Sequence, residues 1–144
     1  MSAEYQAHGF VTRPDEGVPG RGPEVKASGH TTRGSLTVMD MVVDGLGPPP
    51  HVHTREDESI YVLTGKLEVE CGEDRMVAGP GSFVFLPRDV AHTFRSIDGT
   101  ATGLLIVTPG GLDEYFAELH DVITAGGERT EVARVQAKYG IARS

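Results

Sequence analysis

Apolar and polar residues alternate with a period of two through the middle of the chain, then recur at helical spacing after residue 110. Ser35–Val43 (SLTVMDMVV) is β-branched and apolar and stops at the breakers Asp44-Gly45, which predicts a strand. Leu36, Val38, Asp40 and Val42 share one of its faces; Thr37, Met39, Met41 and Val43 share the other. With both faces largely apolar, this strand is expected between two sheets or under a subunit contact. Ser59–Leu63 predicts a second strand, turning at Thr64-Gly65 into Lys66–Cys71, where Leu67, Val69 and Cys71 point inward. Turns at 71–74 and at Gly79-Pro80-Gly81 lead into Arg75–Val77 and Phe83–Leu86. His92–Ile97 is expected to pair with Thr102–Val107 in a hairpin across Asp98-Gly99.

Many short strands with Gly/Pro turns and no helices between them predict an all-β fold, an antiparallel β-sandwich or jelly-roll barrel. Past Thr108-Pro109, Leu112, Tyr115, Phe116, Leu119 and then Val132, Val135, Tyr139 fall at helical spacing. They predict two short C-terminal helices on the outside of the β body, with their aromatic residues as core contacts. Residues 1–34 are rich in Gly, Pro and charge, with apolar islands at Phe10-Val11 and Val25, and read as an extended arm with one or two short edge strands, either crossing to a neighbouring subunit or forming a loose tail. The organisation is one domain: an arm at 1–34, a β core at 35–109 and helices at 110–144.

Composition narrows the partners. The 144 residues suffice for one proper core. A net charge of −8 without a Lys/Arg cluster argues against nucleic acid or an anionic membrane. The N-terminus lacks the pattern of a secretory signal, no apolar run approaches the roughly 20 residues of a membrane span, and the single cysteine, Cys71, forms no internal disulfide. The expectation is a cytoplasmic protein, dimeric through strand or arm exchange, acting on a small molecule.

The chemistry concentrates in GLGPPPHVHTREDESIYVLTG, residues 45–65, with a companion at His92. His51 and His53, two apart on an extended segment, face the same way. Gly47-Pro48-Pro49-Pro50 delivers them in a stiff approach. Glu58 adds a carboxylate and His92 a third imidazole. Three nitrogens and one carboxylate suit one divalent transition ion (Fe, Ni, Co, Mn, Cu or Zn) and not Ca or Mg. His51, His53, Glu58 and His92 are therefore the candidate metal ligands, and Glu58 the candidate catalytic base. Glu58 could also stand behind the ligands as a base. His8, His30 and His120 read as surface residues, Glu56 and Asp57 as solvated loop charges, and Cys71 as core. An apolar substrate pocket is expected from Phe94, which shares a face with His92, and from Ile60 and Val62, which share one with Glu58. Phe83 with Phe85 (or Val84 with Leu86) lines the neighbouring strand, and Met39 and Met41 add a soft wall. Such a pocket suits a flat aromatic or polyketide-like molecule.

In spacing, the first block is Gly45, His51, His53, Glu58, Gly65 and the second is Gly81, Pro87, His92. Together they resemble the two motifs of the cupin superfamily, with the short gap between motifs of small single-domain members. Two positions depart from that pattern: Asp89 stands where glycine is common, and Ser96 where asparagine is common. The resemblance extends to quercetinase-like dioxygenases and to cupin-type polyketide cyclases. The former implies a metal-held substrate hydroxyl that passes its proton to Glu58 before dioxygen cleaves the ring. The latter implies a Lewis-acid metal, zinc included, that polarises a carbonyl for attack by an enolate. A non-catalytic small-molecule-binding cupin is the third reading the pattern allows.

Overall fold

The computed structural model describes residues 8–22 and 24–144. Eight strands and two helices follow in the order β1 (Val25–Ala27), β2 (Thr37–Leu46), β3 (His51–His53), β4 (Asp57–Cys71), β5 (Asp74–Ala78), β6 (Phe83–Leu86), β7 (His92–Thr108), α1 (Leu112–Thr124), α2 (Arg129–Lys138) and β8 (Ile141–Arg143). All the pairings are antiparallel, as the turn-rich sequence predicts. Mostly β with two helices, the chain has the sandwich architecture expected of a jelly roll.

The long strands β4 and β7 organise it. They pair along their whole lengths, from Asp57 opposite Thr108 to Cys71 opposite His92. The register slips between Val62 and Lys66, where β7 carries the excursion Asp98-Gly99-Thr100. At that corner both strands pass from one half of the curled sheet to the other, as strands that switch sheets do at bulges. On one side of it β1, β2, β7, β4 and β6 are neighbours; on the other β8, β3, β7, β4 and β5. The two halves close on one core, to which the first gives Ile60, Val62, Leu86 and Val107 and the second Leu67, Val69, Ala78 and Phe94.

This corrects the sequence reading at two turns. Thr64-Gly65 and Asp98-Gly99 carry real turn signals, and Gly65 (φ 75), Asp98 (φ 58) and Gly99 (φ 112) are left-handed. Yet neither reverses the chain: His92–Ile97 pairs with Lys66–Cys71, and Thr102–Val107 with residues of β2 and β4, not with each other in a hairpin. Periodicity and turn chemistry describe the local bend equally well in both cases. Only the partner strands decide whether the bend is a hairpin or a corner.

The arm contributes a short edge strand at the apolar island around Val25. Among its described residues it folds back on its own chain: β1 pairs with β2, and Arg21 Nε donates to Asp113 Oδ2 at 2.9 Å. Asp113 is buried at the start of α1 and accepts as well from Thr37 Oγ1 at 3.1 Å, so one carboxylate ties arm, core strand and helix together. Residues 1–7 and Pro23 of the predicted arm lie outside the described residues. In β2 the Thr37–Val43 face turns inward while Asp40 and Val42 are exposed. One element has no counterpart in the sequence reading: β8, a three-residue strand just past the helical pattern, which pairs with β3.

A Cβ at Gly65 would overlap the Thr100 carbonyl oxygen and lie 2.7 Å from Ala101 Cα. Gly45 is equally left-handed (φ 84) but has open space around it. Gly65→Ala is therefore expected to cost roughly 2–5 kcal/mol, about 1–2 for the backbone conformation and 1–3 for overpacking. Gly45→Ala should cost the backbone part alone. Urea midpoints of the two variants check this, and equal losses would refute the close approach at the corner.

Candidate metal centre

Rigid backbone brings the four candidate ligands together. The proline run carries the chain to β3; His51 pairs with His92 on β7, and His92 with Cys71 on β4. Glu58 enters from the first half of β4, so two motifs and both sheet halves converge on one point. One potential ligand atom from each of His51, His53, Glu58 and His92 lies within 4.8 Å of the others. His53, Glu58 and His92 are buried and His51 half-buried.

The hydrogen bonds set the tautomers. His51 Nδ1 lies 2.9 Å from the Pro49 carbonyl, which only accepts, so the proton sits on Nδ1 and Nε2 keeps its lone pair. His92 Nδ1 lies 3.4 Å from the Val90 carbonyl, in the same relation. His53 Nε2 meets Glu58 Oε1 at 2.8 Å. His92 Nε2 approaches Glu58 Oε2 at 3.4 Å, an electrostatic approach that leaves this buried nitrogen without a hydrogen-bond partner. An orphaned buried imidazole nitrogen facing a carboxylate and two other imidazoles is what a metal ligand looks like when its ion is taken away. The donor set fits a divalent transition ion.

Charge gives the same answer. Burial opposes the ionised form of Glu58, but His53 and His92 outweigh it and hold its pKa down at about 2. Burial opposes a charged His53 too, and there Glu56 and Glu58 prevail and raise it to about 9. Burial lowers the pKa of His51, keeping it neutral at neutral pH. Without metal the cluster thus holds a proton on His53, which a dication must displace.

Sequence reasoning missed Glu56. Expected as a solvated loop charge, it is 8% exposed, and its Oε1 stands 3.8 Å from His53 Nδ1 with no hydrogen-bond partner. A carboxylate at that nitrogen can fix the orientation of a histidine whose other nitrogen faces a metal. The signal was present as an acidic residue three after His53, but an EDE run looks solvated until the loop is folded. Asp57, its neighbour, does stay at the surface, in an ion pair with Arg88. Both departures from the motif pattern are accommodated. Asp89 adopts φ 68, the left-handed region that aspartate tolerates better than most residues. The Ser96 hydroxyl accepts from Gly45 N at 2.6 Å, closing one motif on the other.

An apolar cavity of about 420 Å³ opens beside the cluster, and His51, His53 and Glu58 form part of its wall. Of the predicted pocket residues, Met41 and Phe94 line it. Ile60 and Val62 are fully buried core beneath the site, and Met39 packs against the core without reaching the cavity. Phe83 and Phe85 point outward, 63% and 52% exposed, while Val84 and Leu86 take the inward face of β6. Strand alternation alone leaves the choice of face open. The end of β2 and the proline run add Val43, Leu46 and Pro49, β7 adds Leu105, and the C-terminal segment closes the wall with Tyr115, Phe116 and Leu119 of α1, Gln136 of α2, and Ile141 and Arg143 of β8. The helices are thus a cap over the site as well as a layer on the barrel. Thr54 and Arg55, just after β3, fasten it by donating to the carbonyls of Gly140 and Lys138 at 2.9 and 3.0 Å.

The His53–Glu58 pair predicts a pH dependence. A folded pKa of about 9 against an ordinary 6.5 makes its stabilising effect complete below pH 6.5 and lost as pH rises to 9. EDTA-treated protein should lose thermal stability across that window, and Glu58→Gln should flatten the loss. Metal affinity should rise over the same range as the proton becomes easier to displace. Melting curves and metal titrations at pH 6.5 and 9 measure both; flat profiles would contradict the shared proton.

Residues 37–109, half of the chain, match the cupin domain family. Over 78 residues the chain is 30% identical to a quercetin 2,3-dioxygenase of Aspergillus japonicus, a match covering 51% of this chain and 22% of that protein, so the chain spans about a fifth of its length. The fold is similar to that of KdgF from Halomonas sp., with a TM-score of 0.55 at 22% identity over 62% of this chain and 79% of that one. Pac13 of Streptomyces, a nucleoside dehydratase, aligns at a TM-score of 0.48 and 20% identity over 53% of this chain and 61% of its own, too distantly to bear on function. Together with the antiparallel barrel and the buried three-histidine, one-glutamate cluster, the match places this chain in the cupin family.

Proposed function

We propose that the chain is a metal-dependent enzyme acting on an aromatic or phenolic small molecule, with ring-cleaving dioxygenation of the quercetinase type as its reaction. One observation carries the reading: a buried three-histidine, one-carboxylate cluster opening on one side into an apolar cavity. The likeness to a quercetin dioxygenase supports the choice of reaction.

His51, His53, Glu58 and His92 would hold one divalent ion. Such an ion supplies a Lewis acid for a substrate hydroxyl and, when redox-active, a route for electrons to dioxygen. Glu58 is ionised at neutral pH and would accept the hydroxyl proton once the ion had lowered that hydroxyl's own pKa. Phe94 and Met41, with Phe116 and Leu119 of the cap, hold the flat body of the substrate and exclude water. Glu56, 3.8 Å from His53 Nδ1, would orient that ring electrostatically.

A zinc-dependent polyketide cyclase or isomerase is the second reading. Tyr115 favours it: burial raises the phenol's pKa, so it stays protonated and could serve as acid beside the base Glu58. The assembly belongs to the proposal too. A homodimer is supported by the apolar outer face of one sheet half, where Tyr61, Leu63, Phe83 and Phe85 are exposed.

Elemental analysis of protein purified without added metal should find one transition ion per chain, lost in His53→Ala. A redox-active element with oxygen uptake on a flavonol or catechol panel supports the dioxygenase; zinc and no uptake would move the reading to the cyclase. Glu58→Gln that retains its metal should lower the rate by roughly 10²–10⁴-fold. Sedimentation should give the mass of two chains, and a one-chain mass would end the dimer.

A further inference from the structure

The family match ends at residue 109, yet the cavity wall continues into the cap. Within that cap, β8 lies against β3 with Arg143 directly opposite His51. Directly opposed residues of an antiparallel pair project to the same face with their Cα atoms about 4.5–5.5 Å apart. Arg143 accordingly lines the cavity with His51, and it is exposed to solvent. Among the described residues no carboxylate pairs with it. The acids on the wall are otherwise engaged: Glu58 faces His53 and His92, and Asp44 accepts from the Thr100 hydroxyl at 3.2 Å. A chain of net charge −8 leaves this cation unpaired on the wall of an apolar cavity.

We propose that Arg143 is a specificity-determining residue that receives an ionised carboxylate of the substrate, making the preferred substrates aromatic or polyketide-type acids and not neutral phenols. The inference rests on the metal-site reading for where the other end of the substrate goes. The planar guanidinium fork matches the two oxygens of a carboxylate, and no lysine or second arginine stands on the wall to neutralise a phosphate dianion. A hydroxyl would reach the histidine–glutamate cluster, the ring would lie against Phe94 and Phe116, and the carboxylate would fix its orientation. Binding energy from such a remote group is what positions the reacting one. The position on β8 makes the contact a property of the cap: Gly140, which begins the return to β3, is held by the Thr54 hydroxyl and amide.

The test compares 3-hydroxy-2-naphthoate with 2-naphthol, which differ only in the carboxylate, by ligand fluorescence on protein as purified. Wild type should bind the acid at least tenfold more tightly. Arg143→Gln should lose that preference with 2-naphthol binding unchanged within twofold, and Arg143→Lys should keep part of it. The side chain is exposed, so unchanged melting temperatures are expected in both variants. Equal binding of the two ligands by wild type, or a preference that survives Arg143→Gln, overturns the inference. His53→Ala separates the two readings. If it weakens both ligands alike and leaves the preference, both stand; if it affects neither ligand, the metal-site reading fails while the preference still assigns Arg143.

Discussion

A carboxylate sits ionised in the interior of a small β-sandwich, and most of the molecule can be understood from what that requires. Glu58 is buried, and an isolated buried carboxylate would cost several kcal/mol even after relaxation. Two imidazoles on different strands offset this, one of them protonated in the absence of metal. A metal ion would do so more completely, since it also gives the orphaned nitrogen of His92 a partner. The site is thus a place where folding, protonation and metal binding are the same problem. Each imidazole must arrive in the right tautomer, and carbonyls at Pro49 and Val90 see to that for two of the three.

Holding four such groups within a few ångströms needs strands that do not move, and the corner in β4 and β7 provides them. Because both strands run through the bend, Glu58 on one side of it and His92 on the other belong to the same pair of long strands, paired on both sides of the corner. The close approach of Gly65 to Thr100 and Ala101 sits at the pivot. The glycine closing the first motif therefore serves the geometry of the site from a distance, without touching it.

The cap gives the site its particular character. The barrel supplies the ligands, but aromatic and polar groups from 112–143, Arg143 among them, complete the cavity. A metal cluster of this kind can run several chemistries, and what enters the cavity is decided by its walls. Part of that wall, from Tyr115 to Arg143, lies outside the family match.

The sequence by itself determined the β class, the limits of β6, the inward alternation of Leu67, Val69 and Cys71, both helices, and the four ligand candidates. These follow from side-chain period, turn residues and the spacing of metal-binding groups, all local properties of the chain. Tertiary structure alone decided the rest. The faces of β6 were fixed by which side met the core, turning Phe83 and Phe85 out and Val84 and Leu86 in. The signals at Thr64-Gly65 and Asp98-Gly99 became corners because other strands took the pairing a hairpin would have used. Glu56 was buried by a loop that closes over His53, and Arg143 reached the cavity because three residues after a helix found an open strand edge. In each case the residue's chemistry was legible, and its role depended on a neighbour distant in the chain.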